Sequence, residues 1–327
     1  MTAMALKAPA DRRSLLLRRL GMLLACGALV ALLPLVLDTY WTRLCVFIFV
    51  NIALASAWNI IGGMAGYPSF GHGVFFGIGA YVSAILIVRY GVPLWVTLPL
   101  GGLAAAAIVP LFTPLFRLRG FYFALATLAT ALAVETVIRN WYWVRGLKPT
   151  DHGWNLPDMF SLGFYYYATL ILLLACLASI LWLRASRIGL ALDAIHKDET
   201  VAASVGVDTT RYKLIAFAMS AFWPGLFGAL YAPFMVFISA ETVFELNITL
   251  NMIVYTVFGG IGTVIGPILG GIVLSIIDQL AWSQFLEYHS MIYGVLVVLI
   301  ITFSPGGMVS WIRGLRAWLE KRRARGG

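Results

Sequence analysis

Residues 184–213 read RASRIGLALDAIHKDETVAASVGVDTTRYK. Long apolar runs lie on both sides, and this is the one long polar interruption that is also rich in small residues and helix formers. The pattern predicts two short helices. Ser186 caps the first, in which Ile188, Leu192 and Ile195 recur at helical spacing. Asp198 caps the second, with Glu199 in its first turn and Gly206 as a C-terminal stop. Val201 and Val205 share one face of that second helix. Short amphipathic helices are marginal alone and must pack on something. This segment therefore lies either on lipid headgroups or against a protein.

The surrounding composition sets the frame. Of 327 residues, 61% are hydrophobic and 11% charged, which describes an all-α polytopic membrane protein rather than a soluble domain. The net charge of +9 does not point to nucleic acid, because the basic residues sit at the edges of apolar runs. Cys26, Cys45 and Cys176 are scattered within such runs and form no metal spacing and no disulfide framework.

A span needs about 20 mostly apolar residues. Ten are expected, at 21–37, 44–61, 70–88, 94–116, 121–139, 166–184, 212–231, 247–260, 264–281 and 289–303. With both termini inside, all but Arg43, Arg89, Arg139, Arg145 and Lys148 of the 23 Lys and Arg fall on the cytoplasmic side. An even number of spans preserves that bias. The run 21–37 follows a basic region but leads into Leu-Asp-Thr-Tyr-Trp without a small-x-small site, so it reads as an uncleaved span. The chain divides into a basic N-terminus (1–20), a transmembrane domain (21–308) and an amphipathic basic tail (309–327), in which Trp311, Leu315, Trp318 and Leu319 share a face suited to a lipid surface.

Two glycine-rich stretches interrupt the apolar pattern. Residues 62–81, GGMAGYPSFGHGVFFGIGAY, carry seven glycines and Pro68; residues 255–271, YTVFGGIGTVIGPILGG, carry six glycines and Pro267. Gly73 and Gly77 allow close helix packing, whereas Pro68 to His72 should break the helix. Broken backbone at membrane depth is tolerated only where protein buries it or where it lines a cavity. Two such interruptions, in spans two to three and eight to nine, suggest two related halves and mark a translocation path. The path residues expected are Ser69, Phe70, Gly71, His72, Phe75 and Phe76, with Gly259, Gly260, Gly262 and Gly266. His72 reads as packing or gating, since no second histidine or carboxylate lies near it in sequence. Asn51 and Asn59 are expected to bond to neighbouring helices.

Residues 140–165 form the largest outer loop, in which Trp141, Trp143, Lys148 and Asp151 are candidates for docking an external partner. Catalytic chemistry is absent. None of the five lysines follows a glycine, so there is no phosphate loop, and no H-E-x-x-H, C-x-x-C or G-x-S-x-G occurs. No catalytic residue, metal site or cofactor is expected on this chain. Glu135 and Asp278 are acids within spans, and Glu135 has Arg139 one turn later as an ordinary helical ion pair.

Three motifs carry a family resemblance over residues 44 to 308. S-R-x-G-x-A-L-x-A-I, D-E-x-x-A-x-x-x-G-V and Y-K-L-x-A-F-x-x-S-A in the quoted stretch and just beyond, S-F-G-H-G-x-F-F-G-I-G-A-Y from Ser69, and G-G-x-G-x-x-x-G-P-x-x-G from Gly259 resemble the branched-chain amino-acid (LivM) permeases of ABC importers. The resemblance implies that residues 184–213 are a cytoplasmic coupling segment seated in a groove of an ATPase subunit. It carries that role to Arg187, Gly189, Ala191, Ala194, Glu199, Ala202 and Gly206, and the wider match to Lys213, Ala216, Phe217 and Ser220. Asp193 and His196 stand where basic residues are common. The small residues would supply a close-fitting face, with Glu199 available to pair with a basic residue of the ATPase. The partners implied are a homologous second permease subunit, two ATPase subunits holding ATP and Mg, and a periplasmic binding protein. The location implied is the bacterial inner membrane. Other cargo on the same machine, such as urea, short amides or aromatic acids, is an alternative. An ion-coupled secondary transporter would need an embedded acid near the midplane, which this sequence does not supply.

Overall fold

Helix α2 (Thr39–Asn59) is the axis of the molecule. It continues through a π-helical turn (Ile60–Met64), and 83% of its apolar window is enclosed by other helices. The computed structural model describes residues 9–144, 153–284, 294 and 307–311. In chain order the other elements are α1 (Pro9–Ala31), α3 (Gly73–Tyr90), α4 (Leu94–Ile108) with a 3₁₀ extension (Val109–Arg117), and α5 (Phe121–Val144). They continue with α6 (Leu162–Ala185), α7 (Arg187–Lys197), α8 (Glu199–Ser204), α9 (Thr209–Met235), α10 (Ala240–Val243), α11 (Leu246–Gly259) and α12 (Ile265–Gln284).

Among the described residues, eight helical runs are long and apolar enough to cross a membrane, and α12 supplies a shorter apolar helix, Ile265–Gln279. The expectation of ten spans is thus met only in part: the last, 289–303, lies outside the described residues. The first run begins at Leu15, and the expected 247–260 span is extended at its start by α10 to give Ala240–Gly259. One departure from an all-helical chain is a two-residue antiparallel pair, Trp154–Asn155 against Phe237–Ile238, which ties the segment after α5 to the end of α9.

The helices pack in two groups around α2. On one side α3, α4 and α9 meet through small residues: a Cβ on Gly79 would stand 1.8 Å from the carbonyl oxygen of Gly225, so α3 and α9 touch backbone to backbone. On the other side α11 and α12 form a hairpin against α2. Gly73 and Gly77 do serve helix packing, on Thr249 and the Phe244 ring respectively. Asn51 donates to Ser275 Oγ of α12 at 3.0 Å, the interhelical bond its place in an apolar run predicts. Helix α1 packs on α6, where Tyr166 donates to the Val30 carbonyl at 2.6 Å. Glu135 and Arg139 form the expected ion pair at 2.5 Å.

Candidate functional site

The quoted stretch folds as its capping residues dictate. Ser186 Oγ accepts from the amides of Ile188 and Gly189 at the start of α7. Asp198 accepts from the amides of Thr200 and Val201 at the start of α8, and its carboxyl is held below the usual range, first by the Thr200 hydroxyl and then by those amides. Gly206 ends α8 at φ +86°, with Val207 N bonded back to Ala202 O.

The two helices turn Gly189, Ala191 and Ala202 inward, onto their own chain. A Cβ on Gly189 would stand 2.5 Å from Leu183 O, and Ala191 and Ala202 are buried with Leu192 and Ile195. Ala194 is half-buried. The outward surface carries Arg187, His196, Lys197 and Gly206, together with Leu190, Val201 and Val205, the last 74% exposed. Of the small residues anticipated as a close-fitting face, Gly189, Ala191 and Ala202 pack on their own chain, Ala194 is half-buried and Gly206 is exposed. This segment presents outward a mixed surface, in which Leu190, Val201 and Val205 stand among Arg187, Lys197, Asp198 and Asp208.

Beneath α7 and α8 lies the first glycine-rich connection, residues 65–72. Gly66, at φ +77°, passes so close to α7 that a Cβ would stand 2.6 Å from His196 Nδ1. The next residue, Tyr67, donates its hydroxyl proton to Glu199 of α8. Lys213 of α9, 1% exposed, donates to Glu199 at 2.6 Å, to Tyr67 Oη at 3.1 Å and to the Phe116 carbonyl at 3.3 Å, with its ammonium 4.6 Å from the centre of the Tyr67 ring. Arg119 stands 3.7 Å from the same carboxylate. Burial pushes the Glu199 carboxyl up. The hydrogen bonds from Lys213 and Tyr67 and the Lys213 charge outweigh it, so Glu199 titrates below the usual glutamate range. Glu199, available in the sequence reading to a cation of the ATPase, is paired with cations of its own chain.

The rest of the connection is pinned through its backbone. Trp58 Nε1 donates to Ser69 O at 2.7 Å, Phe70 N to Thr127 Oγ1 at 3.1 Å, and Gly73 N to Thr249 Oγ1 at 2.7 Å. His72 is fully buried between the rings of Phe75 and Phe217. Ser220 donates to Ala57 O at 2.7 Å, which leaves its oxygen to accept from His72 Nε2 at 2.6 Å. Phe217 contacts Phe75, Phe112, Phe116 and Phe123 as well.

The second connection, 260–264, is tied to the end of α2 at one side chain. Asn59 Nδ2 donates to Thr263 O at 2.7 Å and Asn59 Oδ1 accepts from Gly262 N at 2.8 Å. A Cβ on Gly63 would stand 2.6 Å from Gly262 N, so the two backbones touch. Gly259, Gly260, Gly262 and Gly266 are all buried here. About 12 Å farther along α2, at 1.5 Å per residue, lies a cavity of about 100 Å³ lined by Phe47, Asn51, Phe76, Tyr231, Asn251 and Tyr255 among others.

Of the expected path residues, Phe76 reaches this cavity. Ser69, Gly71, His72 and Phe75 are buried in the chain's own core, and Phe70 is half-buried. Of the expected docking residues, Trp141 is exposed at the end of α5, Trp143 has its backbone in that helix, and Lys148 and Asp151 lie outside the described residues. The sequence did not single out Tyr67 or Thr127. An aromatic at a span edge reads as an interface anchor, and a threonine inside an apolar run carries no signal of its own.

A family model described as branched-chain amino acid transport system / permease component matches residues 40–301. The chain is 32% identical over 293 residues to the high-affinity branched-chain amino acid transport system permease protein LivM of Escherichia coli K12, covering 81% of this chain and 68% of that protein. The LivM of Salmonella typhimurium is 31% identical over the same extent. The E. coli permease protein LivH is 25% identical, covering 78% of this chain and 90% of LivH. No solved structure matches. The matched span runs from the start of α2 past α12 and takes in residues 184–213 and both glycine-rich connections, and the chain belongs to the branched-chain amino acid transport system permease family.

Proposed function

We propose that this chain is the membrane-spanning permease subunit of an ATP-driven importer, fed by an external binding protein and passing branched-chain or other hydrophobic amino acids. One observation carries the reading. The second glycine-rich connection is bonded to Asn59 at the end of α2 and touches Gly63 of the π-helical turn that leads into the first, while α7 and α8 grip the first at Gly66 and Tyr67. A load applied to α7–α8 therefore has a bonded route to both connections, by way of the π-helical turn and the end of α2.

In this reading α7 and α8 lie on the cytoplasmic side of the inner membrane with both termini, and the two connections close the path on that side. The cavity lies farther out. Its mostly apolar wall, with two asparagine amides and no fixed charge among the named lining residues, suits a zwitterion with an aliphatic side chain that must pass without tight binding. The sequence holds no phosphate loop, so ATP and Mg belong on two partner ATPase subunits, and a homologous permease completes the path. The outward Leu190, Val201 and Val205 form the ATPase-docking face. Loss of the chain is expected to abolish uptake of radiolabelled leucine, with recovery when it is supplied again. Purified, partner-free chain should hydrolyse no ATP; hydrolysis by it would overturn the reading.

A further inference from the structure

We infer that Tyr67, Glu199 and Lys213 form the joint through which α7–α8 moves the first glycine-rich connection, and that their role is transmission rather than docking. The inference rests on the importer reading and adds positioning residues to it.

The geometry separates this cluster from the docking face. Lys213 is 1% exposed, so no partner protein reaches it, and the Glu199 side chain is 16% exposed. The outward residues Val201 and Val205 belong to the same short helix, with its other face against the chain. The cluster joins four parts of the chain: α8 through Glu199, the connection through Tyr67, α9 through Lys213, and the end of the 3₁₀ extension through Phe116 O. A buried ammonium must stay paired, because leaving it alone in a low-dielectric interior is far costlier than moving its partners with it. Lys213 therefore holds Glu199 and Tyr67 together while α8 is displaced. Charge-assisted hydrogen bonds are directional and stiff compared with the apolar contacts around them. Arg119, 64% exposed and 3.7 Å from Glu199, offers the carboxylate a second cation as α8 shifts.

The test uses the assembled complex of both permease and both ATPase subunits in proteoliposomes, with leucine-loaded binding protein. Two variants are compared: Tyr67→Phe, which removes one hydroxyl and keeps the ring, and the double variant Glu199→Gln/Lys213→Met, which removes both charges and leaves no buried ion unpaired. Both should retain the ATPase subunits and hydrolyse ATP near the wild-type rate. Leucine transported per ATP hydrolysed should fall roughly tenfold, the scale of a typical coupling between sites. A wild-type ratio in both variants would overturn the inference and leave the cluster as packing. Loss of the ATPase subunits from Tyr67→Phe would also overturn it, by making the cluster part of docking. If the double variant does not fold, Tyr67→Phe decides alone. Failure of the wild-type chain to retain any ATPase would instead refute the importer reading, and this inference with it.

Discussion

The amide of Asn59 and the backbone of Gly262 are joined across 203 residues of chain, with Asn59 Oδ1 accepting from Gly262 N at 2.8 Å. The same side chain donates to Thr263 O, so both ends of one amide are used on one turn. Removing the amide leaves a buried N–H without its acceptor, and an unsatisfied buried donor costs about 1–3 kcal/mol. Asn59→Ala should destabilise the purified permease by about that amount in thermal unfolding in detergent. Asn51→Ala, which removes one half-buried bond to Ser275, should cost less.

The aromatic cluster gives a second expectation. Phe217 is fully buried and touches His72, Phe75, Phe112, Phe116 and Phe123. Truncation empties the centre of that cluster, and Phe→Ala changes in packed cores cost about 3–5 kcal/mol. Phe217→Ala should therefore reduce the yield of folded, monodisperse permease severely, while Phe217→Leu is tolerated better. Equal behaviour of the two would show that the cluster relaxes around the vacancy.

Much of this was legible in the sequence, and the limits are physical. The caps Ser186 and Asp198, the stop at Gly206 and the Glu135–Arg139 pair are local, so their spacing alone predicts them. Asn59 stood out as polar in an apolar run, but its partner could not be read, because the bond joins the end of α2 to a glycine-rich turn 203 residues away. His72 and Ser220 were both within family-like motifs, yet they lie 148 residues apart and nothing in either motif names the other. The small residues of α7 and α8 were legible as a tight contact, though not as a contact with their own chain. A glycine fits a close neighbour equally well whether that neighbour is Leu183 or a partner.

Glu199 sets a pH expectation. Its folded pKa lies below the ordinary glutamate value of about 4.3. A depressed carboxyl contributes stability above the unfolded pKa and loses it as pH falls through the folded one. The stability difference between wild type and the Glu199→Gln/Lys213→Met double variant, which leaves no buried ion unpaired, should therefore be constant from about pH 6 to 8 and shrink only below about pH 5. Melting curves of both proteins across that range check this. A difference that fades between pH 8 and 6 would mean that another group governs the cluster.

The outward face of α7–α8 supports the last prediction. Val201 is 59% and Val205 74% exposed, and Leu190 of α7 is 40% exposed beside basic Arg187 and Lys197. Burying a valine side chain fully is worth about 1.5–3 kcal/mol, and a carboxylate placed there must instead be desolvated against the partner. Val205→Asp should then weaken ATPase retention by roughly ten- to a hundredfold, since each 1.4 kcal/mol is a factor of ten. The permease itself should be undisturbed, because this side chain points away from the core. Gly189→Trp gives the opposite pattern: its new side chain meets Leu183 and Arg184 of its own chain at under 3 Å, so it damages the fold first. The measurement is co-purification of the ATPase subunits with each variant, beside the melting temperature of the permease alone. Retention lost with an unchanged melting temperature in Val205→Asp, and a lowered melting temperature in Gly189→Trp, are the expected results. Full retention by both Val201→Asp and Val205→Asp would place the ATPase contact elsewhere and leave these valines to the lipid surface.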